Sequence, residues 1–482
     1  MIKKILAVLA LVVALGASFF VGRLTVDPGY TGETDITDIV FLEVFEDLIL
    51  DHYSQPSEEQ LYEGALQGLL DALDDPNTTY FDAEAFQEYQ ANFGESYVGI
   101  GVHVLIRDNV IVIDEVFEDG PADNAGIRPN DIISSVDGID VSDNDIYETL
   151  SMIVGDIGTD VTIGITRAGV DFEIQLVMTR DVIDNSSVKY QTYDHAGSTF
   201  GYISVRQFGD ETSYKFAEAL DALELAGIDG LVVDLRNNGG GHLSAVLNML
   251  REFLIINGRP MFTTEYYTDG VLRRDDYYAT RNAFRDYNIV TLVNGGSASA
   301  SEVFASAMQE HGDYPLLGTL TFGKGTMQID RILQSTEDDR LHLSIGRWLT
   351  SDGNWVHFNG GSDGITPDVV VEPTASEEAY KMFLFDDETF QYDQVDTRII
   401  NLQHILRALG YDVRTDGYFD WETRAAIIDI QTANSLTPNG VVDNALLGIL
   451  NEGLDTYQDN PLNDSQLQAA LQYLVDNPTH DE

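Results

Sequence analysis

The feature that most constrains the fold of this chain is a pattern of buried strand, glycine-rich turn and helix that occurs twice. The first copy runs from the apolar stretch 230–235 through three consecutive glycines to a helical pattern at 242–254. The second runs from the apolar stretch 289–293 through a glycine pair to a helical pattern at 303–310. Strands that alternate with helices predict an α/β layer whose ligand site lies at the carboxyl ends of the strands. We therefore expect the two glycine-rich turns to open on the same edge of one sheet.

The second turn carries three serines where its helix begins. Residues 294–302 are Asn-Gly-Gly-Ser-Ala-Ser-Ala-Ser-Glu. Backbone N–H groups at a helix N terminus point outward and stabilise negative charge, which suits a nucleophilic serine with an oxyanion hole. Ser299 and Glu302 also match a capping box, which by itself only starts a helix. The turn alone leaves both interpretations open.

A serine nucleophile needs a base, and the segment 318–328 contains a lysine that could serve. Lys324 lies between two glycines and near the apolar residues Phe322 and Met327. A lysine acts as a general base when desolvation lowers its pKa from about 10.4 to about 7–8. We expect Phe322 and Met327 to supply that apolar cover.

Taken together, three separated segments resemble the carboxyl-terminal processing peptidases. These segments are Asp-Leu-Arg-Asn-Asn-Gly-Gly-Gly at 234–241, Ser-Ala-Ser-Ala-Ser-Glu at 297–302 and Gly-Lys-Gly-Thr-Met-Gln at 323–328. Members of the family are serine proteases with a PDZ domain inserted near the N terminus of the catalytic fold. The resemblance covers about residues 35–375, and its one departure within the motifs is Gly239 in place of Pro.

This resemblance implies a role for each matching residue. Ser299 would be the nucleophile, Lys324 the general base, and Gln328 the group that orients the lysine ammonium by hydrogen bonding. The implied oxyanion donors are the backbone N–H groups of Ala300, Gly240 and Gly241. Ser297 and Ser301 are interpreted as scaffold.

Residues 96–180 resemble a PDZ domain of the bacterial protease type. The pattern consists of Gly-Pro-Ala-Asp-Asn-Ala-Gly at 120–126, Pro-Asn-Asp-Ile-Ile at 129–133 and Val-Asp-Gly at 136–138. A PDZ domain adds an extended peptide to a sheet edge and holds the terminal carboxylate in a loop of backbone N–H groups. The resemblance places that loop at Tyr97, Val98, Gly99, Ile100, Gly101 and Val102. Val154 stands where many members have Arg, which argues against gating by charge at that position.

The predicted fold class is mixed α/β and multidomain, with a PDZ domain inserted in an α/β protease core, an N-terminal helical cap and a small all-α C-terminal module. The expected boundaries are 1–23 for an anchor or signal, 24–95 for the helical region, 96–180 for the PDZ domain, 181–375 for the protease core, 376–396 for a linker, 397–453 for the helical module and 454–482 for a loosely ordered acidic tail. The helices of the N-terminal region are interpreted as a cap or a dimer surface, which leaves a homodimer open.

The helical module at 397–453 resembles a peptidoglycan-binding domain of bacterial wall enzymes. Asp-Gly-Tyr-Phe-Asp at 416–420 is echoed by Asn-Gly-Val-Val-Asp at 439–443, a weak internal repeat. Asp420 and Asp443 stand where the family usually has Gly. The module therefore suggests a wall-binding origin and leaves peptidoglycan open as a present partner.

The N terminus predicts membrane attachment. Lys3 and Lys4 precede an almost wholly apolar run at 5–22, which is long for the core of a signal peptide and just enough to span a bilayer. Positive residues before the run keep that end in the cytoplasm and place the catalytic part outside the cell membrane. We expect a single-pass anchor, with secretion after signal cleavage as the alternative.

Composition excludes several classes of protein. The formal charge of −55 disfavours nucleic acid as a partner, because phosphate binding needs clustered Lys and Arg. The chain has no Cys, and its nine His form no His-Glu-x-x-His pair, so we expect no metal and no cofactor. An acidic surface repels itself unless salt screens it, which suggests a saline habitat.

These observations predict a membrane-anchored extracytoplasmic serine endopeptidase. It would bind protein or peptide substrates with free C termini through its PDZ domain and cleave them with a Ser-Lys-Gln site. The alternative from another class is a catalytically inactive, wall-tethered PDZ adaptor. Retention of Ser299, Lys324 and Gln328 together favours the enzyme.

Overall fold

The computed structural model describes residues 36–479 apart from short internal gaps. The gaps are at 55, 92–95, 108–109, 118–119, 129–130, 142–145, 168–172, 334–337, 359–360, 383 and 385–387. The apolar run 5–22, and with it the predicted anchor, lies outside the described residues. Within the described part of the chain, no helix is both long and apolar enough to cross a membrane.

The chain forms two compact units, Met1–Asp75 and Pro76–Glu482. The first unit contains the helices α1 (Ile36–Asp51) and α2 (Glu58–Asp71). Ser57 caps α2, because its hydroxyl accepts a hydrogen bond from the Gln60 N–H at 3.0 Å. The two predicted helices are therefore present in this unit.

The second unit begins with mixed structure, and the prediction of a helical region at 24–95 does not hold at Thr79–Phe81, which form a strand. In chain order this part contains β1 (Thr79–Phe81), α3 (Ala83–Ala91) and β2 (Ser96–Gly99). A strand forms at β1 because a distant partner, residues 340–342, offers it a backbone ladder. That partner cannot be inferred from local sequence.

The PDZ-like region is an antiparallel sheet with two short helices. Its elements are β3 (Val102–Arg107), β4 (Val110–Val116), α4 (Pro121–Ala125), β5 (Ile132–Val136), β6 (Ile139–Asp140), α5 (Ile146–Ile153), β7 (Asp160–Thr166) and β8 (Ile174–Thr179). The strand order is β3-β4-β5-β7-β8, with β6 paired to β5, so β3 lies at an edge. Gly126 ends α4 with a φ of 86°, a left-handed conformation that favours glycine.

The chain enters and leaves this region through a two-stranded ribbon, since β2 pairs antiparallel with β9 (Asp181–Asp184). The elements that follow are β10 (Val188–His195), β11 (Ser198–Val205), α6 (Thr212–Ala226), β12 (Gly230–Asp234), α7 (Leu243–Leu250), β13 (Phe262–Thr268), β14 (Val271–Tyr277), β15 (Asn288–Val293), α8 (Ala300–Glu310), β16 (Leu316–Gly318), β17 (Thr326–Ile332), β18 (Arg340–Leu349) and β19 (Val369–Val370).

The central sheet has the order β10-β11-β12-β15-β16-β19. Its first pair is antiparallel and all later pairs are parallel, as the alternation of strands and helices predicts. Apolar residues of α6, α7 and α8 pack with those of the strands in one large core. A second sheet, β1-β18-β13-β14 with β17 on β18, is antiparallel and contains the end of the lysine motif, since β17 begins at Thr326.

The C-terminal module contains α9 (Thr397–Ala408), α10 (Trp421–Ala433) and α11 (Asn444–Gln458). Asp420 and Asp443 are the N-caps of α10 and α11, and their carboxylates accept the N–H groups of Thr423 and Leu446. This capping role explains why Asp is stable where the resembled family has Gly. The predicted linker is not a free spacer, because Ala379, Met382, Leu384 and Phe390 belong to the core of the module.

The predicted loose order of the C-terminal tail is wrong. A short 3₁₀ helix (Pro461–Asn463) leads into α12 (Ser465–Asp476). The buried residues of α12 recur at helical spacing and pack on the central sheet: Leu467, Ala470, Leu471 and Leu474. They contact apolar side chains of β11, β12, β15 and β16, which form the face of the sheet opposite α6–α8. The acidic composition obscured this apolar stripe.

Candidate active site

Three neighbouring parallel strands place the three motif segments at one edge of the central sheet. Strand β15 lies between β12 and β16, and all three run in the same direction. Each motif segment follows the carboxyl end of one of these strands. The expectation that both glycine-rich turns open on the same edge is confirmed, and the lysine segment joins them there.

Two serines of the second turn fasten it to the first turn. The Ser297 hydroxyl donates to the carbonyl oxygen of Leu235 at 2.7 Å. The Ser301 hydroxyl donates to the carbonyl oxygen of Asn238 at 2.7 Å. Both side chains are fully buried. These bonds agree with the interpretation of both residues as scaffold, which stays a prediction, and Ser299 is the serine of the three that lies partly exposed.

Ser299 has an unusual backbone conformation. It is the N-cap of α8, with φ 54° and ψ −111°. A residue other than glycine in such a conformation costs about 1–3 kcal/mol and persists only where its surroundings impose it. Strain of this kind concentrates at functional sites. The predicted capping box with Glu302 is present, so the helix start and the strained serine occur at the same residue.

Glu302 connects the serine turn with the lysine segment through one buried carboxylate. Its Oε2 accepts the backbone N–H groups of Ser299 and Lys324, each at 2.8 Å. Its Oε1 accepts the Thr321 hydroxyl at 2.7 Å and the Gly323 N–H at 2.6 Å. The backbone nitrogens of Ser299 and Lys324 are therefore separated by at most twice the length of one hydrogen bond.

The sequence predicted only a capping role for Glu302. Burial raises the pKa of the Glu302 carboxyl, while the hydrogen bonds from Thr321, Lys324, Gly323 and Ser299 work in the opposite direction. A carboxylate in its ionised form accepts at both oxygens, which matches all four donors. The capping-box signal could find the residue but not its contacts with the lysine segment.

The backbone of Lys324 is held on both sides. Its N–H donates to Glu302, and its carbonyl oxygen accepts the indole N–H of Trp348 at 3.0 Å. The Phe322 N–H donates to the carbonyl oxygen of Ser297 at 3.0 Å, which ties the lysine segment to the serine turn. The Phe322 ring, predicted as apolar cover, is 46% exposed and packs edge-on against Phe358.

Gln328 lies on β17 beside a break in the ladder with β18. Its side-chain Nε2 donates to the hydroxyls of Thr326 at 3.1 Å and Ser344 at 3.0 Å. These contacts fix the amide and leave Oε1 as its acceptor atom. An acceptor in this place suits the predicted role of orienting an ammonium group, and that role stays a prediction.

Gly240 brings the first turn against the nucleophile. A Cβ built on Gly240 would lie 2.9 Å from the carbonyl oxygen of Ala298 and 3.0 Å from the Cβ of Ser299. Its φ of 113° also requires glycine. The Gly240 N–H donates to the Asn238 side chain at 2.9 Å. In this arrangement Gly240 therefore supplies close approach rather than an oxyanion donor, and Ala300 and Gly241 keep the donor role predicted for them.

The peptide loop of the PDZ-like region is shorter than predicted. Tyr97, Val98 and Gly99 lie in β2 and pair with β9, so the turn before β3 consists of Ile100 and Gly101. The carbonyl oxygens of Ile100 and Gly101 accept hydrogen bonds from Ala122 and Phe117. In a trans peptide the N–H opposes the preceding carbonyl. The N–H groups of Gly101 and Val102 therefore point away from those contacts, as a carboxylate loop requires.

Among the residues that the structure describes, no group of three or more His, Asp or Glu side chains could hold a metal ion. His242, beside the triple glycine, is the N-cap residue of α7 and lies 2.9 Å from an Asp210 carboxylate oxygen. Its place at a helix start is the one that the sequence predicted.

Known proteins match this chain over most of its length. Four family descriptions match successive parts: "Activating protease CtpB N-terminal domain" at 33–85, "PDZ domain" at 98–177, "Peptidase family S41" at 199–371 and "Putative peptidoglycan binding domain" at 396–450. The chain is 32% identical over 433 residues to the carboxy-terminal processing protease CtpB of Bacillus subtilis, which covers 89% of this chain and 88% of that protein. The chain belongs to peptidase family S41.

Further relatives agree with this assignment. The carboxy-terminal processing protease CtpA of Bacillus subtilis is 31% identical over 431 residues, covering 89% of this chain and 88% of that protein. The structure of a photosystem II D1 C-terminal processing protease shares the fold, with a TM-score of 0.54 and 24% identity over 70% of this chain and 94% of that one. The S41 protein described here is a serine-type carboxyl-terminal processing peptidase with a PDZ domain.

Proposed function

We propose that Ser299 and Lys324 are the catalytic dyad of this S41 peptidase and that Gln328 orients the lysine. The observation that carries the proposal is the Glu302 carboxylate, which accepts the backbone N–H groups of Ser299 and Lys324 at the same oxygen. Two segments from different parts of the chain are thereby fixed side by side. The strained backbone of Ser299 supports the same assignment.

The proposed chemistry needs no cofactor. Neutral Lys324 takes the hydroxyl proton as Ser299 Oγ attacks the scissile carbonyl carbon. The oxyanion that forms is stabilised by the backbone N–H groups of Ala300 and Gly241, each worth about 2.7–4 kcal/mol. The lysine ammonium then protonates the leaving amine, which breaks the peptide bond and leaves an acyl-enzyme. Lys324 next takes a proton from the attacking water, and its ammonium returns that proton to Ser299 Oγ as the acyl–oxygen bond breaks and the acid is released.

Substrate selection belongs to the PDZ domain in this proposal. A peptide would add to the open edge of β3, and its terminal carboxylate would meet the N–H groups at Gly101 and Val102. Glycine is needed at position 101, because its φ is 79°. Protein or peptide chains with free C termini are therefore the proposed substrates.

Location outside the cell membrane is also part of the proposal. Support comes from the apolar run at 5–22 behind two lysines, which predicts a single-pass anchor or a cleaved signal. The match to a putative peptidoglycan binding domain supports the cell wall as a partner. A reporter that is active in only one compartment, fused after residue 23, would show on which side of the membrane the catalytic part lies. A cytoplasmic signal from that reporter would contradict this location.

The dyad is tested by replacing its two members. Ser299→Ala and Lys324→Ala should each lower kcat/KM on an unfolded protein substrate by about 10⁴-fold or more while the circular dichroism spectrum is unchanged. Lys189→Ala, at an exposed position of β10, is the matched control and should keep wild-type activity. Full activity in Ser299→Ala would reject the dyad.

The family assignment favours the enzyme over the inactive adaptor. The same assay separates the two, because an adaptor would bind a peptide with a free C terminus without cleaving it. Wild-type protein that binds such a peptide and never shortens it, as followed by mass spectrometry, would identify the adaptor.

A further inference from the structure

The C-terminal helix α12 makes a polar contact with the first glycine-rich turn in addition to its apolar packing. The guanidinium of Arg236 donates to both carboxylate oxygens of Asp464, from Nη1 at 3.0 Å and from Nη2 at 2.7 Å. Nη1 also donates to the side-chain oxygen of Gln466 at 3.1 Å. A residue 228 positions further along the chain thus forms a bidentate pair with the turn.

The same guanidinium is fixed on its other side by Asp234. Arg236 Nε lies 3.0 Å and 2.9 Å from the two Asp234 oxygens, and Nη2 lies 2.5 Å from one of them. Asp234 also accepts the hydroxyl of Tyr202 at 2.8 Å. The side chain of Arg236 is only 19% exposed and that of Asp464 23%. Burial works to lower the pKa of Arg236, but its bonds and charge pairs with Asp234 and Asp464 hold it above the usual value.

Arg236 is where the turn that lies against the nucleophile begins. Its own N–H donates to Asp234 at 2.9 Å, and four residues later Gly240 lies against Ser299. The rest of the turn has other anchors: Asn237 bonds to Asn294, the Asn238 amide donates to the carbonyl of Val205, and the Gly240 carbonyl accepts the Phe208 N–H. Arg236 therefore fixes the start of the turn, while these contacts hold its middle and end.

We propose that Asp464, assisted by Gln466, is a positioning residue for the peptidase reaction. It holds Arg236 and through it the turn 236–241, which supplies an oxyanion donor. The inference rests on the proposed dyad and oxyanion hole. It makes α12 a working part of the protease core rather than a tail.

This arrangement also defines how the C-terminal module is attached. The Gln466 side-chain nitrogen donates to the carbonyl oxygen of Val371, directly after β19. The segment between them, which includes α9–α11, therefore leaves the protease core at Val371 and returns to it beside the same residue. The peptidoglycan-binding-like module is an insertion with both ends at the core, and truncating the chain after the module removes a support of the active site.

The substitution Asp464→Asn tests the proposal with little disturbance of the helix. Asp464 also caps α12 by accepting the Leu467 N–H at 2.8 Å, and Asn is as good an N-cap as Asp. The variant therefore removes one of the two carboxylate charges that hold Arg236, leaves that of Asp234, and keeps the cap. We expect kcat to fall roughly tenfold with KM nearly unchanged, because the oxyanion contact forms only in the transition state and the other anchors of the turn remain.

Matched controls separate positioning from general destabilisation. Asp476→Asn makes the same change at an exposed position of α12 and should keep the wild-type kcat. If Asp464→Asn does not fold, Gln466→Ala removes a neutral acceptor of the same guanidinium together with the bond from Gln466 to the Val371 carbonyl, and it should show the same split, a lower kcat at constant KM. Thermal unfolding by circular dichroism is measured for each variant.

Two results would overturn the proposal: wild-type kcat in a folded Asp464→Asn, or a rise in KM without a fall in kcat. Wild-type enzyme and Ser299→Ala are assayed beside these variants on the same substrate. An active Ser299→Ala would reject the proposed dyad. An inactive Ser299→Ala together with a fully active Asp464→Asn would reject the positioning role alone.

Discussion

Glu302 shows how a single buried side chain joins the two halves of a catalytic site. Its four hydrogen-bond donors come from the serine turn and the lysine segment, which are separated along the chain but adjacent at the sheet edge. Each donor is a backbone or hydroxyl group that would otherwise be buried without a partner. The carboxylate therefore both stabilises the fold and fixes the distance between the two segments of the proposed dyad.

Glu302→Gln should weaken both properties. A glutamine side chain has one accepting oxygen where the carboxylate has two, so some of the four donors lose their acceptor. We expect the free energy of unfolding to fall by about 1–3 kcal/mol and kcat to fall with it. Glu218→Gln, at an exposed position of α6, is the control and should change neither. Unaltered kcat in a stable Glu302→Gln would show that the carboxylate does not position the dyad.

The loss of stability in Glu302→Gln should depend on pH. Because burial raises the pKa of Glu302 in the folded state, the folded state binds its proton more tightly than the unfolded state. This contribution to stability is complete below the ordinary carboxyl pKa and is lost as the pH rises through the raised value. The stability deficit of Glu302→Gln should therefore be largest at low pH and shrink above pH 4.5, as measured by urea unfolding. A deficit that grows with pH would contradict the raised pKa.

Gly240 and Gly239 form a matched pair for testing the close approach of the two turns. A Cβ added at Gly240 would contact Ala298 and Ser299, and the substituted residue would have to keep a positive φ. A Cβ added at Gly239 would have no atom within 4 Å. Gly240→Ala should lower kcat/KM by about a hundredfold or more, because a shift of about 1 Å at the nucleophile is enough for that loss. Gly239→Ala should lose far less. Equal activities of the two variants in the peptidase assay would refute the contact.

At the scale of elements, α12 converts an open sheet into a covered one. The central sheet has α6–α8 on one face, and the apolar stripe of α12 covers the other. Without it, side chains such as Val232 and Leu292, which are fully buried, would face water. The helix therefore belongs to the hydrophobic core of the protease even though it follows the wall-binding-like module in sequence.

Two neighbouring residues of α12 test this packing. Leu471 is buried on the sheet, and Gln472 is exposed on the next position of the helix. Leu471→Ala should reduce the free energy of unfolding by about 2–5 kcal/mol through lost contacts and a cavity. Gln472→Ala should change it by less than about 0.5 kcal/mol. Guanidinium unfolding measures both, and a neutral Leu471→Ala would mean that the helix does not support the core.

At the scale of the whole molecule, two of the scarce cations, Lys381 and Arg236, lie where parts of the chain meet. The chain has 81 acidic and 26 basic residues. Lys381 of the C-terminal module bonds Asp123 of the PDZ domain at 2.7 Å and lies 3.2 Å from Asp455 of α11. Arg236 joins the protease core to α12 in the same way. Each cation lies against two carboxylates and offsets the charge of one of them, so these junctions reduce the repulsion between acidic parts.

The remaining excess of negative charge predicts a strong dependence on salt. Screening length shortens from about 10 Å at 0.1 M to about 3 Å at 1 M salt, which weakens repulsion between exposed carboxylates. The melting temperature should therefore rise between 0.1 M and 1 M NaCl, and KCl should act alike because screening is not ion-specific. A melting temperature that is constant or falls over this range would count against both the repulsion and the saline habitat.

Sequence patterns predicted much of the fold and of the candidate active site of this S41 peptidase. The repeated strand, turn and helix predicted the layered sheet and the shared edge of the two turns. The resemblance of the three motif segments to the carboxyl-terminal processing peptidases assigned the nucleophile to Ser299 among three serines. The signals for strands, turns and helices are local, since periodicity, turn glycines and helix caps depend on residues within a few positions of one another.

Tertiary structure alone decided the features that depend on distant partners. Four features depend on which surfaces the folded chain brings together. They are the contact of Glu302 with Lys324, the hydrogen bond from the Gly240 N–H to Asn238, the strand at Thr79–Phe81 and the packing of α12 on the central sheet. An acidic segment looks disordered by composition, yet four apolar residues at helical spacing are enough when a sheet offers a matching apolar face. The physical reason is that burial is a property of the pair of surfaces, and only one member of the pair lies in the local sequence.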